Sequence, residues 1–231
     1  MTPTALVTGA SRGLGGALTD ALVRRGWRVV ADARDADRLA TAVAALPRPD
    51  LVTAVPGDVA GPAHRAALAA AVGDRLDLLV ANASDLGPTP LPRLADLPVA
   101  AFERVLAVNT VAPLALLQLV LPALERAGGR VLLVSSDAAV EAYPGWGGYG
   151  ASKAALDQLA AVLAVELPAL RIHAVDPGDM ATDMHRAADP DATGLPDPRS
   201  VVPALLQLVD GDLPSGRYRA ADLTVGAEAA R

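Results

Sequence analysis

Three polar residues in the second half of the chain have the types and the spacing of an acid–base group. Tyr149 and Lys153 have the i, i+4 spacing near the start of a predicted helix, so they share one helical face. A free tyrosine hydroxyl has a pKa of about 10, and a nearby ammonium lowers it toward the range useful for proton transfer. Ser136 precedes them, directly after an apolar run. Its hydroxyl could hold the oxygen that Tyr149 protonates.

Asn109 is a polar residue inside the most apolar segment of the chain, Val105 to Leu124. A buried amide is costly unless it is hydrogen-bonded. Two interpretations stay open: Asn109 is a structural residue that bends a helix, or it is a fourth member of the acid–base group. The segment is long enough to cross a bilayer, but Asn109, Pro113, Gln118 and Pro122 interrupt it. We therefore expect a buried helix and no membrane partner.

A glycine-rich turn lies near the N-terminus, between a predicted strand and a predicted helix. The segment Thr8 to Gly15 reads TGASRGLG, with glycines at positions 9, 13 and 15. Glycine permits a tight turn and a close backbone approach to a pyrophosphate. The helix that follows presents free N–H groups and a partial positive charge to phosphates. Glycines also serve ordinary turns, so the strand-to-helix context carries the argument for a dinucleotide site.

Apolar runs and helical periodicity alternate along the whole chain. The predicted strands are Ala5 to Thr8, Trp27 to Ala33, Leu51 to Val55, Leu76 to Ala81, Arg130 to Val134, Arg171 to Val175 and Gly216 to Leu223. The predicted helices are Leu14 to Arg25, Asp35 (as cap) to Leu46, Pro62 to Val72, Pro98 to near Gly128, Tyr149 to Leu167 and Ser200 to Val209. This alternation predicts one domain over residues 1–231, with a parallel sheet covered on both faces. Ligands bind such sheets beyond the carboxyl ends of the strands.

Composition excludes several classes of function. The net charge is −6 and no basic run occurs, so nucleic acid is not an expected partner. There is no cysteine, which excludes disulfides, thiolate chemistry and cysteine-bound zinc. The three histidines, His64, His173 and His185, do not cluster at ligand spacing, so we expect no metal. No targeting segment precedes the first apolar run, which indicates a cytoplasmic protein.

Taken together, these motifs resemble those of the short-chain dehydrogenase/reductase family, specifically its compact single-domain members of the Tyr-x-x-x-Lys type. The matching segments are the glycine turn, Asp58-Val59, Asn82-Ala83, the group Asn109, Ser136, Tyr149 and Lys153, and Pro177 to Thr182 as P-G-x-x-x-T. The resemblance extends from Thr8 to about Leu223. One departure is Ser84, which stands where the family usually has the glycine of Asn-Ala-Gly.

The resemblance implies a fold and an activity. The fold would be a single doubly wound, Rossmann-type α/β domain with a seven-stranded parallel sheet in the order 3-2-1-4-5-6-7. The activity would be reduction of a ketone or aldehyde by hydride transfer from NADPH. Tyr149 would be the general acid, and Ser136 would orient the carbonyl. Lys153 would lower the tyrosine pKa and bind the nicotinamide ribose, while Asn109 would support a water of the proton relay.

Two other functions on the same scaffold stay open: an epimerase or dehydratase, and a non-catalytic NADP-binding regulator. In every case the resemblance implies one set of cofactor-binding residues. They are Gly9, Ser11, Arg12, Gly13, Leu14, Gly15, Arg34, Asp58, Val59, Asn82, Ala83, Tyr149, Lys153, Pro177, Gly178 and Thr182.

NADP(H) is the expected cofactor, in preference to NAD(H), because of the residues that end the second strand. An acid there binds the free 2′-hydroxyl of NAD, and an arginine favours the 2′-phosphate. Ala33 occupies the place of the acid, and Arg34 follows where NADPH-preferring relatives carry a basic residue. Asp32 is one residue early and should point away from the ribose. A register shift of one residue would reverse this expectation. Arg12 supplies a second cation.

The expected partners are a small carbonyl substrate and further copies of this chain. Substrate selectivity is predicted in three segments that follow strand ends, Asp85 to Leu97, Asp137 to Gly148 and Asp179 to Leu195. Residues 179–198, called the lid segment below, are expected to close over the site. The helices at about 98–127 and 149–167 are apolar on nearly every face, which predicts a homodimer or homotetramer through them.

Overall fold

Seven short strands form the central sheet of the protein, described for residues 2–223 by a computed structural model. They are β1 (Thr4–Val7), β2 (Arg28–Ala33), β3 (Val52–Pro56), β4 (Leu78–Ala81), β5 (Arg130–Val134), β6 (Arg171–Asp176) and β7 (Gly216–Arg219). All neighbouring pairs are parallel, in the order β3-β2-β1-β4-β5-β6-β7. The predicted doubly wound α/β fold is confirmed. The outermost ends of the predicted 1–231 domain lie outside the described residues.

Helices cover both faces of the sheet. They are α1 (Gly13–Arg24), α2 (Ala36–Ala44), α3 (Pro62–Val72), α4 (Val99–Leu106), α5 (Ala112–Ala127), α6 (Gly147–Glu166), α7 (Asp183–Ala188) and α8 (Val202–Asp210). On one face, side chains of α1, α2 and α8 pack with alternate strand residues such as Ala31 and Ala33. On the other face, α3, α5 and α6 pack with the remaining set, such as Val30. This two-sided burial explains why the strands are almost continuously apolar.

Residues predicted to begin and end helices do so in the structure. The Asp35 carboxylate accepts the Arg38 backbone N–H at 2.9 Å and caps α2, as expected. Gly128 ends α5 in the left-handed region. Apart from the last strand, the predicted elements begin and end within two residues of the observed bounds.

The long helix predicted from Pro98 to near Gly128 is not one regular helix. A π-helical turn, Ala107–Val111, separates α4 from α5 and contains Asn109. A π turn inserts an extra residue into the helical ladder, and such turns are frequent at functional sites. Among the described residues, the combined stretch Val99–Ala127 is long and apolar enough to cross a membrane, but half of it is buried in the protein. Its packing on the sheet is that of a core helix.

The prediction for the last strand is wrong in its second half. The strand ends at Arg219, where its pairing with Asp176 of β6 also ends, and residues 220–223 are helical. Ala220 and Leu223 both pack into the α1 and α8 side of the core. A helix brings residues three apart to one face, whereas a strand would separate them. Burial of both side chains therefore favours the helix.

Candidate active site

One large cleft lies beyond the carboxyl ends of the strands and has a volume of about 1660 Å³. A typical small-ligand site occupies ~300–1,000 Å³, so this cleft has room for a dinucleotide and a substrate together. Every predicted site residue lines it except Gly15 and Asn109. Residues from the lid segment form one wall. The structure thus brings together residues from almost the whole length of the chain.

The glycine turn packs tightly on the end of β4. The Thr8 hydroxyl accepts the backbone N–H groups of Asn82 and Ala83, both at 3.0 Å, and the Asn82 amide donates to the Thr8 carbonyl at 2.9 Å. A Cβ on Gly9 would lie 2.8 Å from the Asn82 amide nitrogen, and Gly9 has φ +69°. Gly15 is enclosed by the same amide. Gly9 and Gly15 therefore close the turn against β4, so Gly15 has a packing function.

The first turn of α1 suits a pyrophosphate. Its cap residue, Arg12, makes no side-chain capping hydrogen bond. The first N–H groups of a helix need partners from outside the helix, and the helix dipole favours an anion. Arg12, Gly13 and Leu14 all line the cleft. The donor set at this end of the cleft therefore fits the phosphates of a nicotinamide cofactor.

The end of β2 presents Arg34, and not Asp32, to solvent. The Asp32 side chain is only 2% exposed and contacts the His64 ring with Oδ1 at 2.6 Å from Nε2. Burial raises the pKa of Asp32, and the contact with His64 lowers it in part. Arg34 is exposed and lines the cleft. Within the described residues its guanidinium makes no ion pair.

Tyr149 and Lys153 lie in the first half of α6, at the inner wall of the cleft. Both are buried, Tyr149 at 8% and Lys153 at 1% exposure. The Lys153 ammonium donates to the Val134 carbonyl at 2.7 Å and lies 5.5 Å from the centre of the Tyr149 ring. The Trp146 ring packs edge-on against Tyr149 at 5.7 Å. The pair therefore shares one helical face, as the spacing predicts.

Burial is the main influence on both pKa values. It raises the pKa of Tyr149 to about 12, although the hydroxyls of Ser84 and Ser136 oppose the rise. It lowers the pKa of Lys153 to about 8. We expected Lys153 to lower the tyrosine pKa, but the tyrosine pKa is raised in this geometry. The reason is that the phenol is desolvated, while the ammonium is hydrogen-bonded to the Val134 carbonyl.

Asn109 is fully buried in the π turn and has all its hydrogen-bonding capacity used. Its amide nitrogen donates to the Asp85 carbonyl at 2.8 Å and to Ser152 Oγ at 2.9 Å. Its Oδ1 accepts the Asp85 N–H at 2.7 Å and the Ser84 hydroxyl at 3.2 Å. A neutral amide has two donors and two acceptor lone pairs. The side chain therefore joins α6 to the loop after β4.

Ser136 lies two residues beyond the end of β5, with its hydroxyl beside that of Tyr149. Its hydroxyl donates to Asp137 Oδ1 at 2.9 Å and accepts the Ala138 N–H at 3.2 Å. The same carboxylate accepts the Tyr143 hydroxyl at 3.0 Å. The Ser136 proton is thus directed to Asp137 in this rotamer. To donate to a substrate carbonyl, the hydroxyl must turn its proton away from Asp137.

Two residues at the site were not predicted. Ser84 supplies a second hydroxyl beside Tyr149 and donates a hydrogen bond to Asn109. The one sign of this in the sequence is that a serine stands where the family usually has a glycine. Arg217 on β7 donates to the Ser136 carbonyl at 2.9 Å and to Asp157 Oδ2 at 2.8 Å. Nothing in the sequence pattern marks Arg217, because its partners are distant along the chain. No group of three or more possible metal ligands occurs within the described residues.

Comparison with known proteins agrees with this geometry. The family model for short chain dehydrogenases matches residues 3–193. A rhamnolipid-biosynthesis 3-oxoacyl-[acyl-carrier-protein] reductase from Pseudomonas aeruginosa is 36% identical, covering 81% of this chain and 77% of that protein. An NADPH-dependent aldehyde reductase-like protein from Arabidopsis thaliana is 32% identical, covering 78% of this chain and 73% of that protein.

Solved structures match over almost the whole chain. A short chain dehydrogenase from Shigella flexneri complexed with NADP has a TM-score of 0.86 at 26% identity, covering 95% of this chain and 97% of that one. An alcohol dehydrogenase from the archaeon Thermococcus sibiricus, complexed with 5-hydroxy-NADP, has a TM-score of 0.85 at 28% identity, covering 95% and 96%.

Proposed function

The chain belongs to the short-chain dehydrogenase/reductase family, and on that premise we propose that it is an NADPH-dependent oxidoreductase that reduces a ketone or aldehyde. The observation that carries the proposal is the position of the Tyr149 hydroxyl, flanked by two serine hydroxyls in the cleft that the glycine turn also lines. Reductase names among the relatives and NADP in two matched structures support it.

The cofactor supplies the hydride, and the chain supplies binding, orientation and the proton. The glycine turn and the first N–H groups of α1 would hold the pyrophosphate. Arg12 and Arg34 would hold the 2′-phosphate with charge-assisted hydrogen bonds. Lys153 would bind the nicotinamide ribose, and Thr182 would contact the carboxamide. These groups line one cleft, from the end of β2 to the lid segment.

Tyr149 would protonate the carbonyl oxygen. With its pKa raised to about 12, the phenol carries its proton throughout the neutral range. As the carbonyl carbon accepts the hydride, negative charge develops on the oxygen, and the Tyr149 O–H bond breaks as the proton moves to that oxygen. Ser136 would stabilise the same oxygen by a hydrogen bond. The product is an alcohol, and the proton then returns to Tyr149 from solvent.

The proposed function includes self-association. Four large apolar side chains are at least 42% exposed on the π turn, α5 and α6: Val111, Leu119, Val162 and Val165. Exposed apolar surface of this kind is typical of an interface. We assign it to a second copy of the chain, and a homodimer or homotetramer is expected.

The test is a panel of ketones and aldehydes assayed by NADPH consumption, with wild-type protein and Tyr149→Phe. The variant loses one hydroxyl and little volume, so turnover should fall by ~10²–10⁴-fold while cofactor affinity is kept. Tyr218→Phe is the matched control, because its hydroxyl contacts the Pro214 carbonyl outside the cleft. Near-normal turnover by Tyr149→Phe would refute the assignment. Deuterium-labelled NADPH separates the alternatives, since an epimerase or dehydratase gives no net label transfer to product.

A further inference from the structure

Asp183 connects the lid segment to the cofactor side of the cleft through ion pairs. It is the first residue of α7, and three guanidinium groups surround its carboxylate. Oδ2 is hydrogen-bonded to Arg12 and lies 3.5 Å from Arg38 Nη1. Oδ1 is hydrogen-bonded to Arg186, which belongs to α7 itself. The two oxygens of one carboxylate are therefore shared among arginines from three elements.

Two of these arginines belong to the region where a 2′-phosphate is expected. Arg12 is in the glycine turn. Arg38 is in the first turn of α2, four residues after Arg34 in the sequence. All three line the same cleft as Asp183. A carboxylate and a phosphate are recognised by guanidinium in the same bidentate manner. Asp183 thus uses donors that a phosphate monoester would use.

We propose that Asp183 is an internal anion that occupies Arg12 of the expected 2′-phosphate site, together with the neighbouring Arg38, and so ties the lid segment to them. This rests on the proposed use of NADPH. A ligand that carries a 2′-phosphate competes with the Asp183 carboxylate for the Arg12 guanidinium, and the two anions repel each other. A ligand without that phosphate leaves the contact in place. Asp183 is accordingly a specificity-determining residue that weakens binding of 2′-phosphorylated ligands and releases α7 when they bind.

The expected size of the effect follows from competition. When only a fraction of the protein has its arginines free, the apparent Kd is the intrinsic Kd divided by that fraction. The contacts are part-exposed, with Arg12 and Asp183 side chains 51% and 45% exposed. One or two ion pairs of this kind correspond to about a two- to tenfold change in an equilibrium constant. The contact is also expected to weaken with salt.

The experiment measures calorimetric Kd values for 2′,5′-ADP and 5′-AMP, which differ only in the 2′-phosphate and contain no nicotinamide. The proteins are wild type, Asp183→Asn and Asp191→Asn. Asp191 is the matched control: it is in the lid segment, and in the part of the chain that the structure describes it makes no ion pair. Asp183→Asn should bind 2′,5′-ADP about two- to tenfold more tightly, with 5′-AMP unchanged. Asp191→Asn should match wild type for both ligands.

Hydrogen exchange of α7 gives the second readout. In wild type, 2′,5′-ADP should increase exchange in residues 183–188, and 5′-AMP should not. Unchanged or weaker binding of 2′,5′-ADP by Asp183→Asn would overturn the inference. If wild type still prefers 2′,5′-ADP in that case, the proposed NADPH preference stands and only the role of Asp183 is wrong. Equal affinities for the two ligands in every protein would overturn both.

Discussion

Replacing Asn109 by leucine should destabilise the fold far more than the loss of one polar group suggests. Leucine has the same number of side-chain heavy atoms and the same branching at Cγ, but no hydrogen-bonding capacity. The substitution removes four hydrogen bonds at a site that is fully buried. It separates the loop after β4 from α6, because Asp85 and Ser152 both lose a partner. The residue therefore acts as the bridge between two walls of the cleft.

The magnitude follows from these bonds. Each hydrogen bond contributes about 1 kcal/mol net, and a buried group left without a partner adds a desolvation cost of ~1–3 kcal/mol. Ser84 is half-buried and can reach water, so its loss is small. Taking about 1 kcal/mol for each of the other three bonds and about 1 kcal/mol for the buried groups left without a partner gives about 4 kcal/mol. For a domain of this size, 1 kcal/mol corresponds to ~2–4 °C, so the melting temperature should fall by roughly 8–16 °C.

Differential scanning fluorimetry at a fixed protein concentration is a suitable assay, because association also shifts Tm. Thr110→Val is the matched control: the next residue, also buried in the π turn, loses only the bond from its hydroxyl to the Ser152 carbonyl. It should lower Tm by about a quarter as much, in proportion to one bond. Similar Tm shifts for the two variants would show that the Asn109 side chain contributes no more stability than a single hydrogen bond, and would refute this account.

Three further predictions follow from the site. Arg34→Ala should lower the ratio of kcat/KM for NADPH to that for NADH, by about ten- to a hundredfold for one charge-assisted contact; an unchanged ratio contradicts the assignment. Burial lowers the pKa of Lys153 from 10.5 to about 8, so between these values the unfolded chain holds a proton that the folded protein has released. The Tm of wild type relative to Lys153→Met should therefore rise from pH 8 to pH 10, and parallel curves would argue against it. Val165→Asp, which places a charge on the 81% exposed position of α6, should give monomers by light scattering if this face is the interface; Glu166→Asp is the control, and unaltered oligomers exclude the face.

The sequence predicts the elements well where one signal dominates. Strands β1 and β4 are buried on both faces and read as apolar runs, and Asp35 marks the start of α2. It does not predict the π turn, because that turn depends on contacts between Asn109 and two residues elsewhere in the chain. The segment is apolar on nearly every face, so the one-position shift in phase that a π turn introduces leaves no clear mark in its periodicity.

The same limit applies to the proposed catalytic residues. Their spacing identifies Tyr149 and Lys153, because both lie on one helix. Their pKa values depend on desolvation and on where the Lys153 ammonium finds its acceptor, which is the Val134 carbonyl on another element. Contacts across the fold carry no periodic signal, so Arg217 and its bond to the Ser136 carbonyl were equally invisible.

The register at the end of β2 shows how a contact between residues far apart in the sequence bears on the proposed cofactor preference. By sequence alone, Asp32 or Ala33 could face the ribose, and the two choices favour different cofactors. In the structure, Ala33 packs on the α1 and α2 side of the sheet, and Asp32 contacts His64 of α3 on the other side. Gly57 makes room for this contact, since a Cβ there would collide with the His64 ring. A slip of one residue would break the Asp32–His64 pair and turn a buried carboxylate to the opposite face. The register that leaves Arg34 at the cleft is therefore also the one that pairs the buried acid. The Asp32–His64 contact and the proposed NADPH preference thus depend on the same register of Asp32, Ala33 and Arg34.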